Sequence, residues 1–356
     1  MRWPYRSLLA LCSLVFALQA HAFDTATFTS SVTDPVRARD IAYTLYYPEN
    51  FSGVSPLVLV SHGGIGSTSG HLELSHLGTE YAEMGYIAIH VNHLASANIF
   101  IHRLDTPADV SFVIDQLEAA TLPVPTAFLG SIDLTRIGHI GHSFGAYTAM
   151  SLAGGNYTHG NLGDTRVDAV VALSPQGPDT LGGFDNGPSD NTWVDIALPV
   201  YDIVGELEKD SNFIGTILVP DWRLTPFLRF EGPGDKFQSI VPGQDHLDIA
   251  DAGSPEVQAF IATESRTFFD VYVRGDTAQV CQIGSFGVNL GNLFERKADP
   301  NANLASSCPP LGIPVPSLGP GAVLLLITSL LALAVHTDRR MDIRGSHQAS
   351  RRCPQI

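Results

Sequence analysis

The sequence predicts an α/β fold with a mostly parallel central sheet and helices on both faces, and three observations carry that prediction. Short apolar runs alternate with helix-forming segments across residues 34–273, and strands that alternate with helices run parallel with helices packed on both faces. Two of the runs, Pro56–Val60 and Ala169–Leu173, are apolar at every position, as in strands buried on both sides. A third run passes straight into a helix through Gly141-His-Ser-Phe-Gly145. That is the spacing of a sharp strand-to-helix turn with a serine at its apex.

In chain order, Asp34–Tyr47 alternates around Ile41, Tyr43, Leu45 and Tyr47 and reads as an opening strand. The central run Pro56–Val60 ends at Ser61-His-Gly-Gly-Ile-Gly66. Leu72–Met84 is expected to be helical and Tyr86–Val91 the next strand. Thr106–Ala119 places Val110, Val113, Ile114 and Leu117 on one face of a helix. Ile137–Ile140 is the strand before the turn, and Ala146–Ala153 the helix after it. Ala169–Leu173, Pro199–Val204 and Lys236–Val241 supply the remaining strands, with a Pro- and Gly-rich irregular region at Ser211–Asp235. Ser254–Val273 is a long helix with a Ser cap and Pro at its first turn. Beyond Gly275 the chain, rich in Asn and Pro, reads as an extended tail to Pro316.

The two ends read as addresses rather than fold. Residues 1–22 join Arg2 and Arg6, an apolar Leu8–Leu18 and Ala20-His-Ala22, the pattern of an export signal cleaved before Phe23. Residues 317–356 follow Ile313-Pro-Val-Pro316 with the uncharged Gly321–Val335 and then Arg339, Arg340, Arg344, Arg351 and Arg352. An apolar segment backed by arginines suits a membrane anchor with its tail held inside; a buried core helix is the alternative. Residues 23–275 then form the main domain and 276–316 the tail. Cys281 and Cys308, the cysteines of an exported body, are expected to pair, with free thiols as the alternative.

The chain has 36 Asp and Glu against 20 Lys and Arg, a net charge of −16. The ends hold seven of those arginines and only Asp338 and Asp342 of the acids, so the body is more acidic still. Such a body repels nucleic acid and anionic lipid, which leaves membrane contact to the C-terminal segment. Gly63-Gly-Ile-Gly66 lacks full dinucleotide spacing, and no phosphate loop or metal-type Cys/His spacing is present. No cofactor or metal is expected, and the domain reads as monomeric.

A serine on such a turn is a nucleophile when a base and an orienting carboxylate reach it. Between Ser143 and the C-terminal segment the histidines are His159 and His246. His159 comes too soon to fold back over the turn. His246 follows a strand in a Gly-containing loop and is the expected base. The acid belongs after Pro199–Val204, where Glu208 is favoured and Asp210 is the alternative. The backbone N–H groups of Phe144 and Gly64 are the expected oxyanion donors. His62 reads as a structural hydrogen-bonder.

Val60-Ser-His-Gly-Gly64, Asp109–Leu117 and Gly141-His-Ser-Phe-Gly-Ala146 together resemble the α/β-hydrolases grouped as dienelactone-hydrolase-like and platelet-activating-factor-acetylhydrolase-like, over Asp34–Val273. The resemblance implies the α/β-hydrolase fold, with Ser143 as nucleophile, His246 as base and Phe144 with Gly64 as oxyanion donors. The platelet-factor branch takes its acid from the strand after the turn helix. Here that place reads Ala172-Leu-Ser174 without a carboxylate, which directs the acid to Glu208. Dienelactone hydrolases use Cys as nucleophile, so Ser143 favours general esters. The expectation is an exported serine esterase acting on small or lipid-like esters. A lipid or polyester depolymerase, or a catalytically silent surface-displayed binding module, are the alternatives.

Overall fold

In the computed structural model of the protein, which describes residues 22–128, 130–178, 191–211, 218–299, 304–305 and 308, the chain opens as a hairpin. Strands β1 (Thr25–Asp34) and β2 (Arg39–Pro48) pair antiparallel across a turn. Asp34 organises that turn by accepting from the N–H groups of Val36 at 2.9 Å and Arg37 at 3.2 Å. The sequence reading placed a single strand over Asp34–Tyr47, which covers the turn and β2 but not β1. β1 has Thr or Ser at six of its ten positions and is only half buried, so it lacks an apolar signal. The expected export signal, apart from Ala22, and the expected C-terminal segment 317–356 lie outside the described residues.

The core follows from period-two burial. In β3 (Val54–Ser61) Leu57 and Leu59 pack on one face while Val58 and Val60 pack on the other. Burying each such side chain stabilises by about 1.5–3 kcal/mol. Then come α1 (Ser75–Glu83), β4 (Ile87–Val91), α2 (Ile99–Glu118), β5 (Ser131–His142) and α3 (Phe144–Leu152). A small hairpin, β6 (Asn156–Tyr157) with β7 (Gly160–Asn161), precedes β8 (Val167–Leu173) and β9 (Val200–Gly205). The expected irregular region contains a 3₁₀ turn, Trp222–Leu224, running into α4 (Thr225–Arg229). The described fold closes with β10 (Lys236–Val241), α5 (Pro255–Tyr272) and β11 (Leu293–Lys297).

The nine-stranded sheet has the order β1-β2-β4-β3-β5-β8-β9-β10-β11. From β4 to β10 neighbours are parallel, and both margins are antiparallel. Residues of α2 and α3 pack on one face, and residues of α1 and α5 on the other. The protein is thus an α/β structure with a large, mostly parallel sheet flanked by helices.

Two further elements differ from expectation. Helix α2 starts at Ile99 rather than Thr106, capped by Asn98, whose side chain accepts from the Ile101 N–H at 3.1 Å. Pro107 therefore sits inside the helix and cannot donate to the Arg103 carbonyl. The Tyr147 hydroxyl of α3 donates to that carbonyl instead, at 3.0 Å. The second difference is β11, which turns part of the expected tail into a margin of the sheet. Cys281 and Cys308 are disulfide-bonded, with Cα atoms 5.2 Å apart, and tie the chain after β11 back to the turn after α5.

Candidate active site

Parallel strands end together, so the loops after β3, β5, β8, β9 and β10 gather at one rim of the sheet. Ser143 stands between β5 and α3 with φ +54° and ψ −114°, outside the comfortable regions for a side chain-bearing residue. The turn needs its glycines for lack of room. A Cβ on Gly145 would lie 2.2 Å from the Ser61 carbonyl oxygen, and one on Gly141 would lie 2.2 Å from that of Gly145.

His246 arrives on the loop after β10, and Glu208 on the turn after β9. The loop and turn are joined, since Leu207 N–H donates to the Gln244 carbonyl at 3.0 Å and Glu206 N–H to that of Val241 at 2.9 Å. The structure brings the three residues into line. The Ser143 hydroxyl lies 2.9 Å from His246 Nε2, and His246 Nδ1 lies 2.6 Å from Glu208 Oε2. With the carboxylate on Nδ1, that nitrogen carries the proton and Nε2 accepts from the serine.

Glu208 is buried, and its other oxygen, Oε1, accepts from the Ser174 hydroxyl and from the Gly205 N–H at 3.1 Å. Arg223 Nε forms an ion pair with Oε2 at 2.8 Å. Burial alone would raise the carboxyl, but the His246 hydrogen bond and the Arg223 charge outweigh it and hold it at about 2. Asp210, the alternative acid, is elsewhere. It accepts from the Asp221 N–H at 2.7 Å and from Lys209 at 3.0 Å on the surface.

His142, inside the Gly141–Gly145 turn, holds the expected base from behind. Its Nε2 donates to the His246 carbonyl at 2.8 Å, and burial lowers its imidazole to about 3, so it stays neutral. His62 braces the neighbouring glycine loop. His62 Nε2 accepts from the His93 N–H at 2.9 Å, so the proton is on Nδ1, which donates to the Gly63 carbonyl at 2.7 Å. In a trans peptide that fixes the Gly64 N–H on the side away from His62. Gly64 has φ +80° and lines, with Gly63, Ser143, His246, Leu247 and Asp251, a cleft of about 490 Å³. Phe144 is the first residue of α3, directly after the serine.

Behind this rim lies a second set of Ser, His and Asp. His93 Nε2 is 2.9 Å from the Ser61 hydroxyl, and His93 Nδ1 is 3.1 Å from Asp109. Arg37 and Arg39 donate to the same Asp109 carboxylate at 2.7–2.9 Å. Ser61, His93 and Asp109 are 0–1% exposed, so this set cannot meet a substrate and acts as a brace between β3, β4, α2 and the first hairpin.

Sequence reasoning had no role for Ser174, Arg223, His142 or Asp109. Asp109 did leave a signal, an acid on the core face of an amphipathic helix beside Val110 and Val113. Arg223 left none, because its neighbours come from two distant segments, Ser174–Pro175 and Glu208–Lys209. Among the described residues no group of His, Cys, Asp or Glu is placed to hold a metal ion, and no helix is long and apolar enough to cross a membrane. No known family model matches the sequence, and no curated protein matches it.

Proposed function

We propose that the protein is a serine hydrolase of the α/β-hydrolase fold that cleaves carboxylic esters through an acyl-enzyme. The observation that carries this reading is the file Ser143–His246–Glu208, with contacts of 2.9 and 2.6 Å. The chain order Ser, acid, His supports it, as does a serine on a strained turn at the ends of parallel strands.

In the proposed reaction Ser143 Oγ attacks the ester carbonyl carbon while its proton passes to His246 Nε2. The negative charge of the tetrahedral intermediate falls on the former carbonyl oxygen, facing the N–H groups of Phe144 and Gly64. The imidazolium, steadied by Glu208, gives the proton to the departing alkoxide, and the C–O bond to the alcohol breaks. Water then repeats the sequence on the acyl-enzyme, releasing the acid and restoring the serine. The disulfide supports an exported location, since such bonds persist in oxidising compartments.

Hydrolysis of a short-chain p-nitrophenyl ester tests the proposal. Ser143→Ala should lower turnover roughly 10⁴-fold or more, and the wild-type serine should label with a fluorophosphonate probe. A purified Ser143→Ala protein as active as wild type would end the proposal. A binding module predicts neither turnover nor labelling.

A further inference from the structure

We infer that Arg223 is a positioning residue for the Ser143–His246–Glu208 unit, locking the Glu208 carboxylate against the imidazole. The inference rests on the esterase reading.

The guanidinium is 3% exposed and bridges three segments. Its Nε sits 2.8 Å from Glu208 Oε2, the oxygen that also takes the His246 hydrogen at 2.6 Å. Its Nη1 donates to the Ser174 carbonyl at 2.8 Å and the Pro175 carbonyl at 3.2 Å, both on the loop after β8. The Nε hydrogen is not aligned on the carboxylate, so the contact acts as a charge rather than a directed hydrogen bond. Ser174 has φ +56° and donates its hydroxyl to Oε1. One loop therefore holds one carboxylate oxygen directly and the other through Arg223. A buried cation is costly unless paired, and among the described residues Glu208 is its ionic partner.

This placement fixes the carboxylate that faces His246: the imidazole hydrogen and the Arg223 cation meet the same Glu208 oxygen, and Arg223 is itself anchored on the loop after β8. The other titratable neighbours are His142 on β5, Glu73 before α1, and Asp245, Asp248 and Asp251 on the histidine's own loop. Removing the cation takes away the link between Glu208 and the Ser174–Pro175 carbonyls, so the carboxylate is no longer held in line with the imidazole.

The test is steady-state kinetics of the full chain, with kcat normalised to Ser143 sites titrated by a fluorophosphonate so that misfolded protein is not counted. Arg223→Gln should lower kcat about 10- to 100-fold through loss of alignment and leave KM within about twofold. Arg223→Lys keeps the charge but not the fork. It should lower kcat only several-fold, and it carries the test if the Gln variant fails to fold. Normalised kcat unchanged in the variants would overturn the role of Arg223. A wild-type protein that neither turns over nor labels would instead overturn the esterase reading.

Discussion

Single residues decide which carboxylate can serve His246. Glu208 and Asp210 lie two positions apart on one turn, yet one is buried with four close polar neighbours and the other is tied to Lys209 on the surface. Glu208→Ala should lower kcat roughly 10³- to 10⁴-fold, whereas Asp210→Ala should stay within about twofold. Equal losses measured on the two purified variants would contradict this division of labour. That Ser143, His246 and Glu208 would come together was readable, because each follows a strand end with a marked glycine. The support of Glu208 was not readable. Ser174 and Arg223 meet it only through the folding together of segments that carry no shared pattern.

Elements show the same contrast. The apolar strands and amphipathic helices were visible because burial imposes a period on the sequence. The first two turns of α2, Ile99–Asp105, were hidden, because Pro107 normally marks a helix start and here lies inside the helix. Tyr147 makes that tolerable by donating to the Arg103 carbonyl at 3.0 Å. Tyr147→Phe should therefore destabilise the fold by about 1–3 kcal/mol, read as a lower denaturation midpoint at an unchanged m-value. An unchanged midpoint would mean that the carbonyl does not depend on α3. The polar margins β1 and β11 were hidden for the opposite reason. A strand at the side of a sheet is half exposed, and its sequence carries only half a signal.

Across the whole molecule the buried histidines make stability depend on pH. Burial presses the imidazoles of His62, His139 and His142 down to about 3, and those of His90 and His102 to about 4, from 6.5. Each binds its proton more readily in the unfolded chain, so stability falls as pH drops below about 6.5, by up to about 1.4 kcal/mol per pH unit per histidine. Glu208, held at about 2 against an ordinary 4.5, adds a loss between those values at lower pH. Glu264, which burial raises to about 7, and Asp202, which burial also raises, act the other way. Five imidazoles outweigh these two acids between pH 6.5 and 4.5. Thermal melts should therefore show the midpoint dropping steadily from pH 7 to 4.5, and a flat profile would show that the imidazoles are not held neutral.

The crowding around Glu208 restricts what that side chain can ever do. Its two oxygens already hold hydrogens from a hydroxyl, a peptide and an imidazole, and a guanidinium presses on one of them. No berth is left for a passenger. In the proposed reaction a proton lifted from the serine would wait on the imidazole and leave with the alcohol, with the carboxylate behind it a fixed counterweight rather than a stop on the way.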